Sequence, residues 1–160
     1  MRRSVVVFTL VLVLFSLSVA ALAQDTDENL SDSRGFGIGM QVGLPVGGLV
    51  SARYWFNPTV AVEGIIFAWG EANDYFGVFS GRVLYKLSDT PTVDFYIASG
   101  ATFPFSAYGH DPVLFSAAGG IEFNFAFAKN LAWNVEFGGT ISSTGNLMMA
   151  LGTGIHFYFL

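Results

Sequence analysis

Strict alternation between apolar residues and small or polar ones begins at Gly35, and it restricts the fold more than any other feature of the chain. The clearest example is 50–69, VSARYWFNPTVAVEGIIFAW, in which two runs of β-branched and aromatic residues flank Asn57-Pro58-Thr59. Asn and Pro favour tight turns, so these runs predict a β-hairpin. A three-residue loop places Arg53 directly opposite Glu63, which favours a cross-strand ion pair. One face of this hairpin then carries both charges, and the other carries none.

The same period of two, typical of strands whose faces meet different surroundings, recurs along the rest of the chain. We predict eight strands, at 35–46, 50–56, 60–69, 76–87, 93–103, 113–125, 131–141 and 147–160. Their lengths are close to the ~10 residues of strands that cross a membrane in a barrel. The turns near 57, 89 and 129 fall at one end, the tight-turn rim, together with both termini of the barrel. The loops near 73, 108 and 144 fall at the other end, the loop rim.

The charged residues of the predicted strands all lie on the less apolar face. Pairing Leu87 with Val93 places Lys86 opposite Asp94, a second pair of unlike charges. A soluble sandwich or lipocalin-type barrel would show the same alternation but would bury the apolar face. Here the other face is mainly Gly, Ala, Ser and Asn, which suit a narrow interior and not an exterior in water. We therefore predict a transmembrane barrel whose lumen holds an ion-pair network: Arg53, Glu63, Arg82, Lys86, Asp94, Glu122 and Glu136.

Composition agrees with an all-β, eight-stranded, antiparallel, up-and-down transmembrane barrel over residues 35–160. Charged residues make up 12% of the 160 residues and hydrophobic residues 52%. This is a small number of charges for the water-exposed surface of a soluble protein of this size. After residue 23 no uninterrupted apolar run is long enough for a membrane-spanning helix. The absence of cysteine excludes disulfides and Cys-ligated metals. An acidic chain without a basic cluster gives no support for nucleic-acid binding.

The N-terminus has the features of a secretory signal. Arg2 and Arg3 precede an apolar core, and Ala21-Leu22-Ala23 fits the small-residue pattern of signal-peptidase cleavage. We predict a signal peptide at 1–23, the alternative being an uncleaved anchor helix. The following segment, 24–34, carries four acidic residues without aromatics or periodicity, so we predict a disordered acidic tail.

The sequence resembles the small eight-stranded outer-membrane barrels of Gram-negative bacteria, the OmpA/OmpX-like superfamily. The resemblance rests on the signal peptide, the turn Tyr54-Trp55-Phe56-Asn57-Pro58 and the C-terminal segment 154–160, GIHFYFL. It implies location in the outer membrane, contact with its lipid, a monomeric state, and a last strand that the barrel-assembly machinery recognises. The residues that match this assembly signal are Gly154, Phe157 and Phe159, whereas Leu160 stands where an aromatic residue is usual.

Two function classes follow from the predicted lumen. A lumen closed by ion pairs favours a structural or envelope-interaction role, and an apolar outer half favours binding or passage of a small hydrophobic molecule. The residues predicted to line this apolar pocket are Ile65, Phe67, Trp69, Phe76 and Met148. We predict no enzymatic activity, because His110 and His156 lie at opposite ends of the barrel and cannot easily serve one site. No ligand spacing indicates a metal or another cofactor.

Overall fold

The computed structural model describes residues 35–45, 47–71, 73–88, 90, 92–109, 111–125, 127–128 and 130–159. The predicted signal peptide (1–23), the acidic tail (24–34), His110 and Leu160 lie outside the described residues. Those predictions therefore remain predictions. Within the described ranges, no helix is long and apolar enough to cross a membrane.

Eight antiparallel strands form a closed barrel in which each strand pairs with its neighbours in sequence and the last strand pairs with the first. The strands are β1 (Phe36–Leu44), β2 (Val50–Trp55), β3 (Val60–Glu71), β4 (Asp74–Ser88), β5 (Val93–Ser106), β6 (Leu114–Asn124), β7 (Leu131–Ser142) and β8 (Leu147–Phe159). This confirms the prediction of an eight-stranded antiparallel up-and-down barrel. In the described part of the chain, β1 and β8 form nine residue pairs, and β1 and β2 form four.

The β2–β3 hairpin has the predicted register, with Arg53 opposite Glu63. Its turn is held by Asn57, whose Oδ1 accepts hydrogen bonds from the backbone N–H groups of Thr59 at 2.9 Å and Val60 at 2.8 Å. Such side-chain capping is the reason that Asn favours turns. The turn chemistry therefore fixes the register that places two opposite charges side by side.

The predicted pairing of Leu87 with Val93 is wrong. Lys86 pairs with Tyr96, and an irregularity between Lys86 and Ser88 shifts the register beyond that point. The observed pairs up to Lys86 differ from the predicted ones by two residues. A slip of two residues leaves every side chain on the same face, so the apolar pattern alone could not distinguish the two registers. Lys86 still reaches Asp94, because its long side chain spans the diagonal between them: Nζ lies 3.5 Å from Asp94 Oδ2.

The strands at the loop rim are longer than predicted. β3 and β4 continue through most of the predicted 70–75 loop and pair up to Glu71 and Asp74. β5 likewise continues to Ser106, past Pro104. Polar residues in these segments suggested loops, but a strand above the membrane can be polar on both faces.

The two faces of the barrel have the inverse of the burial found in a soluble protein. The charged side chains of Arg53 and Glu122 are 0% and 1% exposed, whereas the apolar side chains of Val42 and Phe103 are 51% and 47% exposed. Charged residues are seldom buried in soluble proteins unless they are paired, and a lipid-facing apolar band is typical of membrane barrels. The predicted facing of the strands is thus the observed one.

Candidate functional site in the barrel lumen

Glu63 lies at the centre of the charged lumen. Its Oε1 accepts hydrogen bonds from Ser51 Oγ at 2.7 Å and Arg53 Nη2 at 3.3 Å, and His156 Nε2 lies 2.9 Å from the same oxygen. Its Oε2 accepts a hydrogen bond from Arg82 Nε at 2.9 Å and a second from Arg82 Nη2. One carboxylate on β3 therefore joins side chains from β2, β4 and β8.

The two arginines extend these contacts across the barrel. Arg53 Nη1 donates to Glu122 on β6 and to the Tyr158 hydroxyl at 2.9 Å. Arg82 holds both oxygens of Glu136 on β7, with Nη1 at 2.5 Å from Oε2 and Nη2 at 2.9 Å from Oε1. A bidentate arginine–carboxylate contact of this kind is among the stronger hydrogen-bonded pairs. We call Arg53, Glu63, Arg82, Glu122 and Glu136 the lumen cluster.

The other two predicted network residues form a separate contact. In addition to its approach to Asp94, Lys86 lies over the indole of Trp55, with Nζ 4.8 Å from the ring centroid, and Asn124 Nδ2 donates to Asp94 Oδ2 at 3.2 Å. The structure thus places all seven predicted residues inside the barrel, five of them in one cluster. Among the described residues, no group of three or more His, Asp or Glu side chains is arranged to hold a metal ion.

Two tyrosines, neither of which was predicted to have a role, form hydrogen bonds with the lumen cluster. The Tyr96 hydroxyl donates to Glu136 Oε1 at 2.6 Å, and the Tyr96 ring lies 5.7 Å from the guanidinium carbon of Arg53. Tyr158 receives the Arg53 hydrogen bond and is fully buried. Both tyrosines share the strand face of the charged residues, and this parity is the sequence signal that could have identified them.

Glycine stands opposite both of these large inward side chains. Gly120 pairs with Tyr96 and Gly37 pairs with Tyr158. A Cβ at Gly120 would lie 2.2 Å from Tyr96 Cζ, and a Cβ at Gly37 would lie 2.7 Å from Tyr158 Cδ1. The tyrosine rings therefore occupy space that only glycine leaves free on the neighbouring strand.

We expect Gly120→Ala to lower the free energy of unfolding by about 1–3 kcal/mol, the usual cost of an overpacked site. The matched control is Gly119→Ala on the same strand, where a Cβ would project outward with nothing within 4 Å. Because the control removes a glycine without a clash, its stability should equal or exceed that of the wild type. Urea titration of the refolded barrel in detergent or lipid measures both. Equal effects of the two changes would contradict this packing role.

The five residues of the predicted apolar pocket lie near the loop rim, but the structure does not gather all of them. The ring centroids of Phe67 and Phe76 are 6.4 Å apart, Trp69 is 77% exposed, and Ile65 is buried. Met148 lies on β8, apart from the four residues on β3 and β4. An apolar pocket formed by all five therefore stays a prediction.

The three residues of the predicted assembly signal lie on β8. Phe157 and Phe159 project outward at the tight-turn rim, with ring centroids 5.4 Å apart. Gly154 faces the lumen, where a Cβ would lie 1.9 Å from Gln41 Oε1. This glycine therefore has a packing role of its own, and recognition by the assembly machinery stays a prediction.

A closed eight-stranded barrel with an apolar exterior and an ion-paired interior has the architecture of the small transmembrane β-barrels. In particular, it is similar to the N-terminal β-barrel domain of OprF from Pseudomonas aeruginosa, with 15% identity, a TM-score of 0.52, and coverage of 76% of this chain and 95% of that domain. The chain thus has the fold of the eight-stranded outer-membrane barrels.

Two further solved structures resemble the chain less. The attachment invasion locus protein Ail of Yersinia pestis is 15% identical, with a TM-score of 0.46 and coverage of 78% of this chain and 94% of Ail. CarO2 of Acinetobacter baumannii is 14% identical, with a TM-score of 0.40 and coverage of 78% and 97%. No family model and no curated protein matches the sequence.

Proposed function

We propose that the protein is a non-enzymatic outer-membrane barrel with a structural or envelope-interaction role, and that its lumen is closed by the lumen cluster. The observation that carries this proposal is the continuous chain of contacts from Glu122 through Arg53, Glu63 and Arg82 to Glu136. These side chains come from β2, β3, β4, β6 and β7, so the chain of contacts runs between opposite walls of the barrel. An eight-stranded barrel is only just wide enough for side chains to fill.

Breaking such a cluster is costly, which favours a permanent closure. Removing one partner of a buried ion pair leaves a charge that neither water nor protein compensates. His156 supports the non-enzymatic reading, because its two ring nitrogens lie near Ser51 and Glu63 on one side and Asn134 on the other. Its buried ring is engaged in structure and is not presented to a substrate.

We predict negligible ion conductance for the wild-type barrel in planar lipid bilayers. The double variant Arg82→Ala with Glu136→Ala removes one charge of each sign and should raise the conductance, since it shortens two side chains that bridge β4 and β7. Gly119→Ala, on the outer surface, is the control and should remain closed. Steady, large single-channel currents from the wild type would contradict the closed lumen.

We further propose that the barrel lies in the outer membrane of a Gram-negative bacterium as a monomer, after export through a signal peptide at 1–23 and insertion by the barrel-assembly machinery. The exposed apolar exterior supports contact with membrane lipid. Density-gradient fractionation of membranes is the direct measurement. Recovery of the folded barrel in the soluble fraction or the inner membrane would contradict this location.

A second candidate function is binding of a small hydrophobic molecule at the loop rim. It is favoured by Trp69, which lies on the lumen-facing side of β3 beside the Phe67–Phe76 pair and is largely exposed. The lumen cluster below this point makes binding more consistent with the structure than passage. We expect a brominated alkane to quench tryptophan fluorescence saturably in the wild type, with the saturable part absent in Trp69→Phe. Identical quenching of both proteins would rule out this site.

A further inference from the structure

Among the residues that the structure describes, Gln41 is the one polar side chain of β1 that is buried and points into the lumen. It is 1% exposed, yet both its Nε2 and its Oε1 are buried without a hydrogen-bond partner. An amide buried in this way loses its bonds to water and gains none in return. Native proteins nearly always satisfy such groups, often with an ordered water molecule.

The space next to Gln41 is bounded by a second polar atom. A Cβ projecting from Gly152 would lie 3.3 Å from Gln41 Nε2 and 3.3 Å from Glu136 Oε2. Glycine leaves this direction free, so a water-sized molecule above Gly152 can reach both the amide donor and the carboxylate acceptor. The geometry alone thus defines a gap with one donor on one side and one acceptor on the other.

A cavity adjoins this gap and shares Gly152 and Glu136 with it. It has a volume of about 20 Å³ and is lined in part by Gly152, Glu136, Arg82 and Ser116. A volume of this size holds one water molecule, and a buried water needs two to four polar partners. Glu136 and Ser116 are wall residues and supply a carboxylate and a hydroxyl, and the amide of Gln41 approaches from the other side of the Gly152 gap.

The gap lies between β1 and the lumen cluster. Direct hydrogen bonds connect the lumen cluster to side chains of β2 through β8, for example to Ser51 on β2, Tyr96 on β5 and Tyr158 on β8. Gln41 brings β1 to within one small molecule of Glu136. β1 is also the strand that closes the barrel against β8.

We propose that this cavity holds one structural water molecule, which accepts a hydrogen bond from Gln41 Nε2 and donates one to Glu136 Oε2. The water joins β1 to the lumen cluster, so that side chains from all eight strands belong to one hydrogen-bonded network. This inference concerns the packing of the lumen and does not depend on whether the barrel conducts ions.

The first test uses the wild-type barrel in lipid nanodiscs. NMR should show a magnetisation-transfer cross-peak between the Gln41 side-chain amide protons and a long-lived water. A high-resolution crystal structure should show an ordered water at about 2.7–3.2 Å from both polar atoms. A direct hydrogen bond between Gln41 and Glu136, or an empty cavity, would overturn the proposal.

The second test fills the site. In Gly152→Ala the added methyl group takes the space above residue 152, so the Gln41–water cross-peak should disappear. The matched control is Gly139→Ala on the outer face of β7, where a Cβ would meet only Met148 O at 3.9 Å, and the cross-peak should persist. Persistence of the cross-peak in Gly152→Ala would refute this placement of the water. Should that variant fail to fold, the wild-type measurements decide alone.

Discussion

Replacing Glu63 by alanine is expected to lower the free energy of unfolding by about 3–5 kcal/mol, the usual cost of removing one partner from a buried ion pair. The expected loss lies at the upper end of this range because Glu63 accepts hydrogen bonds from both Arg53 and Arg82. Both guanidinium groups lose a carboxylate at once in a lumen that excludes bulk water. Urea titration of the barrel in lipid vesicles, followed by tryptophan fluorescence, measures the effect.

A double-mutant cycle separates the ion pair from other losses. Arg53→Ala combined with Glu63→Ala should lower the free energy of unfolding by less than the sum of the two single changes, because the double variant removes both charges of the pair together. The recovery should be partial, since Arg82 still lacks Glu63. Asp74→Ala, which removes an exposed carboxylate at the loop rim, is the control and should change stability by less than about 0.5 kcal/mol. Additive single effects would show that the pairing is not a source of stability.

Gly81→Arg is expected to destabilise the barrel by about 2–4 kcal/mol, the cost of an arginine on the lipid face near the midplane. Gly81 is the central residue of β4, and its Cβ direction is open, with nothing within 4 Å. The substitution therefore adds a charge to the exterior without a steric clash. Unfolding in vesicles with a full hydrocarbon core measures this cost.

The control at the same position is Gly81→Leu, which adds a side chain of comparable reach without a charge. It should be neutral or stabilising, because leucine is favourable in hydrocarbon and glycine weakens a strand. The difference between the two variants isolates the lipid contact from the change in backbone freedom. Equal stability of the arginine and leucine variants would mean that this face of β4 does not meet lipid.

The β2–β3 hairpin shows what a local pattern can predict. Its register follows from a turn of known length, because the Asn57 side chain caps the turn and the alternation fixes which residues face inward. The ion pair of Arg53 with Glu63 was predictable for the same reason. Fold class, strand number and facing rest on the same alternation repeated along the chain.

The β4–β5 hairpin shows where the same reasoning fails. Lys86 pairs with Tyr96 and not with Asp94, a slip of two residues from the predicted register. Alternation has a period of two, so it cannot detect such a slip. The strand extensions to Glu71 and Ser106 were missed because polar composition resembles a loop where a strand continues beyond the apolar band. The missed extensions are confined to strand ends, whereas the register error affects the whole β4–β5 pairing.

The contacts within the lumen cluster could not be predicted from the sequence. Alternation gives the direction of a side chain but not the residue it meets across the barrel, which depends on the curvature of the closed sheet. The contact of Arg82 with Glu136 joins strands that are not neighbours. The role of Tyr96 depends in addition on the glycine beside it, so it could be recognised only after the strands were in register.

The first strand is held more extensively by the end of the chain than by its neighbour in sequence, with nine residue pairs to β8 and four to β2 among the described residues. During folding, β2 to β8 can assemble as successive hairpins, each of which closes only a short loop. β1 gains most of its hydrogen bonds only when β8 is already in place, at the largest sequence separation in the barrel. Such long-range contacts are slow to form, because the entropy of the intervening chain is lost before they contribute. We therefore expect docking of β1 onto β8 to be a late step, which converts an open sheet with two free edges into a barrel with none.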